Sequence, residues 1–513
     1  MKRIKRLKTN IVLHPIMTLV VLIFGTILLS GVLNFFDVNT TYTRINNQGT
    51  FVSVLVSVES LLNISGIRYI FSNTVSNFVS FTPLSMLLIT LIGIGMMDKS
   101  GFLDSLFYVL TRRVSKRVIT FSLSLICILA SIIGDLSFVV LIPLAALLFK
   151  YGKRNPKVGI ICAFASLACG ISINVIMNSV DVSLIDMTLS SAQLLNADYT
   201  IAVTAYFIIM MIASISLAMI ITSVTEKNIA PRLGKYEFDE EMTEETEGLT
   251  KRAKKGIIIS LFCGIIYVLI FAYNIIPGLP LSGNLLDQSQ YYYIEMLFGY
   301  NSYFNQGFVF IVTFLFIILG LSYGLVTKVI KSHRDFCTFL SHSLDGVGKV
   351  IVLLLLASML IFIFRQTNIG TFIVAYLGNL IYNSGFTGIP LILLLFFVSA
   401  ISTIFVPGSA AKWAILNTAV IPTFMNAGMS ASFAVLIFRA GEAVTYALTP
   451  LMAYFVIYIA FMEIYSKDKH DTLFGNMKYL MPYAGYTALL WIILLVLFYI
   501  IGLPLGINAF PAL

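Results

Sequence analysis

Charge is scarce in this chain. Asp, Glu, Lys and Arg make up 11% of its 513 residues, against roughly 25% in a soluble protein. That excludes a water-facing surface over most of the molecule. Histidine is scarcer still: the four present (His14, His333, His342, His470) never form an H-E-x-x-H pair, which excludes a helix-borne zinc hydrolase site. The five cysteines (Cys127, Cys162, Cys169, Cys263, Cys337) show no paired spacing, so neither a disulfide framework nor a thiolate metal site is expected. The stretch "IIGDLS" places a Gly-Asp pair in apolar surroundings, as intramembrane aspartyl proteases do. Position 132 is Ile, however, where a G-x-G-D motif needs Gly, and a Tyr-Asp partner is missing. No catalytic residue, enzyme activity or resident cofactor is expected.

What is abundant is apolar: 58% of residues are hydrophobic and the mean hydropathy is +0.94. Many windows of about 18 or more residues hold few or no charges and read as membrane-spanning helices. The runs are continuous rather than alternating, so a β-barrel is not expected. The fold class is an all-α polytopic membrane protein. The net charge of +9 does not point to nucleic acid, because 27 of the 33 Lys and Arg fall in six clusters, at 1–14, 111–117, 150–157, 225–255, 328–349 and 465–479. Loops on the opposite side hold Arg44 and Arg68. The positive-inside bias makes the six clusters cytoplasmic. The expected partner is therefore the lipid bilayer of a bacterial-type cytoplasmic membrane, crossed many times, with the N-terminus inside. The basic start "MKRIKRLKTN" leads into a long apolar run without an A-x-A site, which reads as a retained first helix.

The clusters at 111–117 and 150–157 share a side, yet only 32 apolar residues separate them. Two full crossings need about 40. A re-entrant hairpin over 118–149 resolves the conflict, with its tip at Gly134 and Asp135. Irregular backbone at membrane depth is tolerated where it faces protein or a watery cavity. A second hairpin, 389–424, turns at Pro407 and Gly408 in "VPGSAAKW" and has flanks without Lys or Arg, so it enters from outside. Nine spans remain, near 12–36, 82–110, 158–182, 200–224, 256–274, 308–327, 349–383, 430–464 and 480–503. The chain then divides into a first transmembrane helix with an external loop (1–81), a first repeat (82–224), a charged cytoplasmic linker (225–255), scaffold helices and loops (256–348), a second repeat (349–464) and a last transmembrane helix (465–513). Each repeat runs span, hairpin, interrupted span, in opposite orientations. Inverted repeats with interrupted helices are typical of secondary transporters, whose sites lie near the midplane. Gly134, Pro407, Gly408, Gly441 and Pro450 are the expected structural breaks.

Four basic residues remain in apolar segments, Lys99, Arg365, Lys412 and Arg439, with acidic Asp98, Asp135, Asp181 and Glu442. Each charge costs about 2.5–3.5 kcal/mol at mid-helix on insertion scales, so such groups are paired or used. Arg439 and Glu442, spaced i, i+3 in "FRAGEAVTYALTP", share a face and can pair. Asp181 occupies the corresponding place in the first half. Asn174 and Asn178, four apart, share a helical face and offer amide oxygens to Na⁺ or a substrate. Ser409 starts the helix after the Pro-Gly turn, whose N-terminus suits a carboxylate. Lys412 and Trp413 cannot both face the site, and Trp413 is the better stacking group for an aromatic ring. The expected substrate ligands are thus Asn174, Asp181, Ser409, Trp413, Arg439 and Glu442. Ion coupling, by Na⁺ or H⁺, is expected at Asp135, Asn174, Asn178 and Glu442.

The segments "FTPLSMLLITLIGIGMMDKSGF", "GDLSFVVLIPLAALLFKYGKRNP", "GISINVIMNSVDVSLIDMT", "NIGTFIVAYLG", "SAAKWAILNTAVIPTFMNAGMS" and "RAGEAVTYALTPLMAYF" together resemble the AbgT family, transporters of p-aminobenzoyl-glutamate, over nearly the whole chain. The resemblance implies a homodimer of nine-span protomers with two opposed hairpins. It implies ion-coupled secondary transport of a small aromatic anion such as p-aminobenzoyl-glutamate. Proton-driven efflux of sulfonamide-type antimetabolites, or dicarboxylate transport within the same superfamily, are the alternatives. Asn174, Asp181, Asn368, Trp413 and Arg439 match family positions implicated in function, which adds Asn368 to both the substrate and the ion set. This chain departs from the family pattern at Glu442 (usually Asp), Ala410 (usually Ser, with Ser409 adjacent here) and Tyr446 (usually Asn).

Overall fold

The computed structural model describes residues 13–45, 50–202, 204–236, 249–299, 301–466 and 472–513. The start of the first basic cluster, the middle of the charged linker (237–248) and residues 467–471 lie outside the described residues. Helix α1 (Pro15–Phe35) opens at a proline, placed where the first turn needs no amide N–H. The expected external loop after it is partly ordered structure. It holds an antiparallel pair, β1 (Asn39–Ile45) and β2 (Phe51–Ser57), followed by α2 (Ile64–Val79). The reason is local: "NTTYTRI" and "FVSVLVS" are rich in β-branched and aromatic residues.

The expected span 82–110 is two helices, α3 (Thr82–Lys99) and α4 (Phe102–Arg112). Residues 118–149 form α5 (Lys116–Leu129), a 3-10 turn (Ala130–Ile133) and α6 (Leu136–Tyr151). Between the turn and α6, Gly134 has φ 60° and ψ −135°, a conformation a side chain would obstruct. Next come α7 (Pro156–Cys169), a non-helical stretch over 170–178, and α8 (Ser179–Ala192). Helix α9 (Phe207–Val224) passes through a π turn (Thr225–Ile229) into α10 (Ala230–Leu233). The middle of the chain supplies α11 (Lys251–Asn274), α12 (Tyr293–Phe298), α13 (Tyr303–Thr327) and α14 (His333–His342). Helices α15 (Gly348–Gln366) and α16 (Ile369–Asn383) meet at Thr367 and Asn368. Helices α17 (Gly388–Phe405) and α18 (Ser409–Asn426) flank the Val406-Pro407-Gly408 turn. The chain ends with α19 (Ala431–Thr445), a 3-10 turn (Tyr446–Leu448), α20 (Phe455–Ile464) and α21 (Leu473–Ile501).

Apart from the β1–β2 strand pair, the described residues form a helical, polytopic membrane protein. Among the described residues, 10 helical stretches are long and apolar enough to cross a bilayer. Two of these, Lys116–Ile133 and Gly388–Phe405, are the first arms of the expected hairpins, and the other eight overlap expected spans. The remaining expected span, 158–182, is absent from that set because it breaks after Cys169.

Helices α7, α19 and α20 lie at the centre. All of α7 is buried, as are Ala431–Ala443 of α19 and Phe455–Met462 of α20. Apart from Lys157 in α7 and Arg439 and Glu442 in α19, these segments are largely apolar or small on every side, which suits a helix surrounded by others. Phe138 stacks on Tyr454 and Phe164 on Tyr458, tying α6 and α7 to the segment around α20. By contrast α1 and α11 expose residues such as Phe24 and Phe262, as lipid-facing helices do.

Gly441, expected as a break, lies inside α19. Its importance is close approach instead: a Cβ there would run into the backbone oxygen of Phe396 in α17. Gly441→Ala is expected to push α17 from α19 at a cost of about 1–3 kcal/mol. Thermal unfolding in detergent should show the loss, and an unchanged midpoint would contradict the tight crossing.

Candidate functional site

The apolar arm α17 ends at Val406-Pro407-Gly408, and α18 starts at Ser409. Ser409 and Lys412 are three apart and therefore share a face, which meets α19 at Arg439 and Glu442. Lys412 Nζ lies 2.7 Å from Glu442 Oε1, and Arg439 Nη1 lies 2.8 Å from Glu442 Oε2. The Ser409 hydroxyl joins both, donating to Glu442 Oε2 at 3.0 Å and accepting from Arg439 Nη1 at 2.9 Å. Lys412 Nζ also donates to Thr403 Oγ1 of α17.

The first half of the chain closes the other side of Arg439. Its Nη2 donates to the Ile171 carbonyl at 2.8 Å, and its Nε faces Asp181 Oδ1 at 3.3 Å. That carbonyl comes from the non-helical stretch 170–178, where the helical ladder no longer consumes it. Asp181 forms a capping box with Asn178 at the start of α8, and Asn174 Nδ2 donates to Asp181 Oδ2 at 2.6 Å. Ser131, in the turn of the first expected hairpin, donates to Asn174 Oδ1 at 2.7 Å and to the Ile173 carbonyl.

The result is a tetrad of two cations and two carboxylates, formally neutral, assembled from both halves. Its relative exposures are 0% for Lys412, 1% for Glu442, 4% for Arg439 and 8% for Asp181. Charges taken so far from water persist only when each finds a counter-charge and hydrogen bonds. Arg439 is the joint: its planar fork serves partners on several sides, which a single ammonium cannot do.

Several expected site residues behave differently. Asn174 and Asn178 do not share a helical face, because 170–178 is not helical. They converge because both hold Asp181, and their amide oxygens are already taken, by Ser131 and by the Asp181 N–H. Trp413 does not present a stacking face. It is fully buried, donates from Nε1 to Thr188 Oγ1 at 2.9 Å, and packs 4.6 Å from the Phe438 ring centroid. One residue step turns a helix by about 100°, so the face that points Lys412 at Glu442 sends Trp413 toward α8. Trp413→Ala is therefore expected to cost about 3–5 kcal/mol of stability and to weaken aromatic and aliphatic anions alike. A loss confined to aromatic substrates would restore the stacking role.

Asn368 joins the tetrad by no recorded hydrogen bond. It caps α16 with φ 56°, and its Nδ2 lies 3.4 Å from Glu59 Oε1. Asp135 stands at the start of α6, beside the Tyr454 hydroxyl, in a cavity of about 240 Å³ also lined by Gly134, Asn178 and Ser179. Asn178 links that cavity to Asp181. Gly134, Pro407, Gly408 and Pro450 all occupy non-helical positions. Lys412 is the site residue that the sequence reasoning passed over in favour of Trp413. Its signal was present: a lysine one turn after Ser409 in an apolar arm. Ser131 and Thr403 carried none, since serine and threonine in apolar helices commonly bond only to their own backbone.

This site can be set beside known proteins. The profile described as "AbgT putative transporter family" matches residues 1–513. The chain belongs to the AbgT family. Its relatives include the p-aminobenzoyl-glutamate transport protein of Escherichia coli (strain K12), 25% identical over 504 residues, 98% of this chain and 95% of that one. Among solved structures, the YdaH transporter of Alcanivorax borkumensis is 26% identical over 96% of this chain and 100% of its own, with a TM-score of 0.48. MtrF of Neisseria gonorrhoeae, described with a class of antimetabolite efflux pumps, is 27% identical over 98% of each chain, with a TM-score of 0.49. The AbgT family is one of transporters, and this AbgT chain is likewise a membrane transporter rather than an enzyme.

Proposed function

We propose that the chain is an ion-coupled secondary transporter of an aromatic anion of the p-aminobenzoyl-glutamate type, with the buried tetrad as its coupling centre. The observation that carries this is the junction of Asp181 from one interrupted segment with Arg439, Glu442 and Lys412 around the other. In this reading 118–149 and 389–424 are opposed re-entrant hairpins of an inverted repeat. The N-terminus is cytoplasmic, the membrane is the inner one of a bacterial-type cell, and the working unit is a homodimer.

The physics of coupling follows from neutrality. With both carboxylates ionised, every cation in the tetrad has a partner, and an anionic substrate finds no surplus positive charge. A proton on Glu442 removes one negative charge and leaves a net attraction for a substrate carboxylate at Lys412 and Arg439. Proton and anion then move together. H⁺ is the coupling ion in this reading because each oxygen of Glu442 faces a cation, Lys412 at 2.7 Å and Arg439 at 2.8 Å, and a sodium ion would have to displace one of them.

The test is uptake of radiolabelled p-aminobenzoyl-glutamate into proteoliposomes, with Na⁺ and pH gradients imposed separately. Uptake driven by the pH gradient alone is expected. Uptake driven only by Na⁺ would move coupling to the cavity beside Asp135, and no uptake under either gradient would reject the substrate.

A further inference from the structure

A second cavity, of about 350 Å³, lies away from the tetrad, between the start of α5 and the end of α9. Val118 and Phe121 of α5 and Met219 of α9 form its apolar wall. Val118 and Met219 are more than half exposed on the outside of the helical bundle, so the cavity opens where a membrane-embedded protein meets lipid. Arg117 and Lys227 stand at its rim, both exposed, and neither has a recorded ion pair among the described residues.

The one acid in the lining, Glu226, is spoken for. Its Oε1 accepts from Arg154 Nη2 at 2.6 Å and also from the Thr120 hydroxyl. Arg154 is further fixed by Thr120 Oγ1 at 3.0 Å and by the Phe149 ring beneath it. Glu226 and Lys227 are neighbours in the π turn Thr225–Ile229. Successive residues on a helix point about 100° apart, so Glu226 reaches inward to Arg154 while Lys227 remains exposed at the rim. The Glu226 charge is thus answered internally, and the rim is left with the two cations.

We infer that this groove is a binding site for one anionic phospholipid, its phosphate between Arg117 and Lys227 and its upper acyl chain against Val118, Phe121 and Met219. The volume falls within the roughly 300–1,000 Å³ range of ordinary ligand sites. Basic pockets between membrane helices suit such head groups. The apolar wall and outward opening favour a lipid over a free phosphate, which would gain nothing from them. A lipid so placed bridges α5, an arm of the hairpin reading above, to α9.

Native mass spectrometry of the full chain in detergent tests this, with phosphatidylglycerol and phosphatidylcholine titrated in turn. Retention of phosphatidylglycerol is expected to be favoured by about tenfold or more, from two cations near a head group. Arg117→Gln with Lys227→Gln should abolish that preference, while Arg117→Lys with Lys227→Arg should keep it. Lys251→Gln with Lys255→Gln, the same charge loss in the first turn of α11, should also keep it. Equal retention of the two lipids would overturn the assignment, as would an equal loss in the α11 variant, which would indicate diffuse attraction. Displacement of phosphatidylglycerol by chain-free glycerophosphoglycerol at similar concentration would also overturn it, in favour of a water-soluble anion site.

Discussion

Glu442→Gln is expected to abolish gradient-driven uptake while leaving the protein able to bind the substrate anion. Glu442 meets Lys412 at 2.7 Å and Arg439 at 2.8 Å, with 1% exposure. Removing one partner of a buried ion pair costs about 3–5 kcal/mol of folding stability. Coupled uptake should fall to background, because the group proposed to take the coupling proton is gone. The neutral amide imitates the protonated acid, so the tetrad carries one surplus positive charge at all pH values. The variant should be less stable alone and should gain more thermal stability from added anion than the wild type does. A partner experiment separates folding from function. Adding Lys412→Met to Glu442→Gln restores neutrality, with Arg439 facing Asp181, so much of the lost stability should return. Uptake should not, because the proton-accepting group is still missing. Normal pH-driven uptake by Glu442→Gln would remove that residue from the mechanism.

Arg439→Lys is the second large effect, and it keeps the charge. Arg439 reaches Asp181 at 3.3 Å, Ser409 at 2.9 Å, Glu442 at 2.8 Å and the Ile171 carbonyl at 2.8 Å. These partners belong to both halves of the chain. A lysine has one nitrogen and cannot serve both sides; Glu442 keeps Lys412 at 2.7 Å, so a lysine drawn to Glu442 leaves Asp181 as an unpaired buried charge. At about 3–5 kcal/mol of stability for such a loss, the unfolding midpoint should drop, and uptake should fall below about a tenth of the wild type because the two halves are no longer joined by the fork. Retention of more than about a tenth of wild-type uptake would show that charge alone, and not the geometry of the fork, is what the site requires.

Much of this arrangement was legible beforehand. Arg439 and Glu442 announced themselves as charges in an apolar run, and i, i+3 spacing on a helix is enough to pair them. The break before Asp181 followed from polar residues and glycine at the end of an apolar segment. Gly441, expected as a break, and Trp413, found packed in the core, show one limit of reading sequence alone. A glycine that opens a helix and one that admits a neighbouring backbone look alike until the neighbour, here Phe396 in α17, is known. In the same way a tryptophan that stacks on a ligand cannot be told from one that packs on Phe438 and bonds Thr188. Asn174 and Asn178 were grouped correctly but on a helical face that does not exist.

The sequence by itself determined that this is a helical membrane protein of the AbgT family, and that a small set of intramembrane charges must be paired. Those conclusions rest on composition, on the distribution of lysine and arginine, and on motifs, all of which are properties of short stretches. Only the tertiary structure decided who pairs with whom. Lys412 rather than Trp413 faces Glu442, Arg439 reaches across to Asp181 and Ile171, and Glu226 turns inward to Arg154 while Lys227 stays at the rim. The physical reason is that a buried charge is stabilised by whatever lies within a few ångströms, and those neighbours come from segments up to 268 residues apart in the chain.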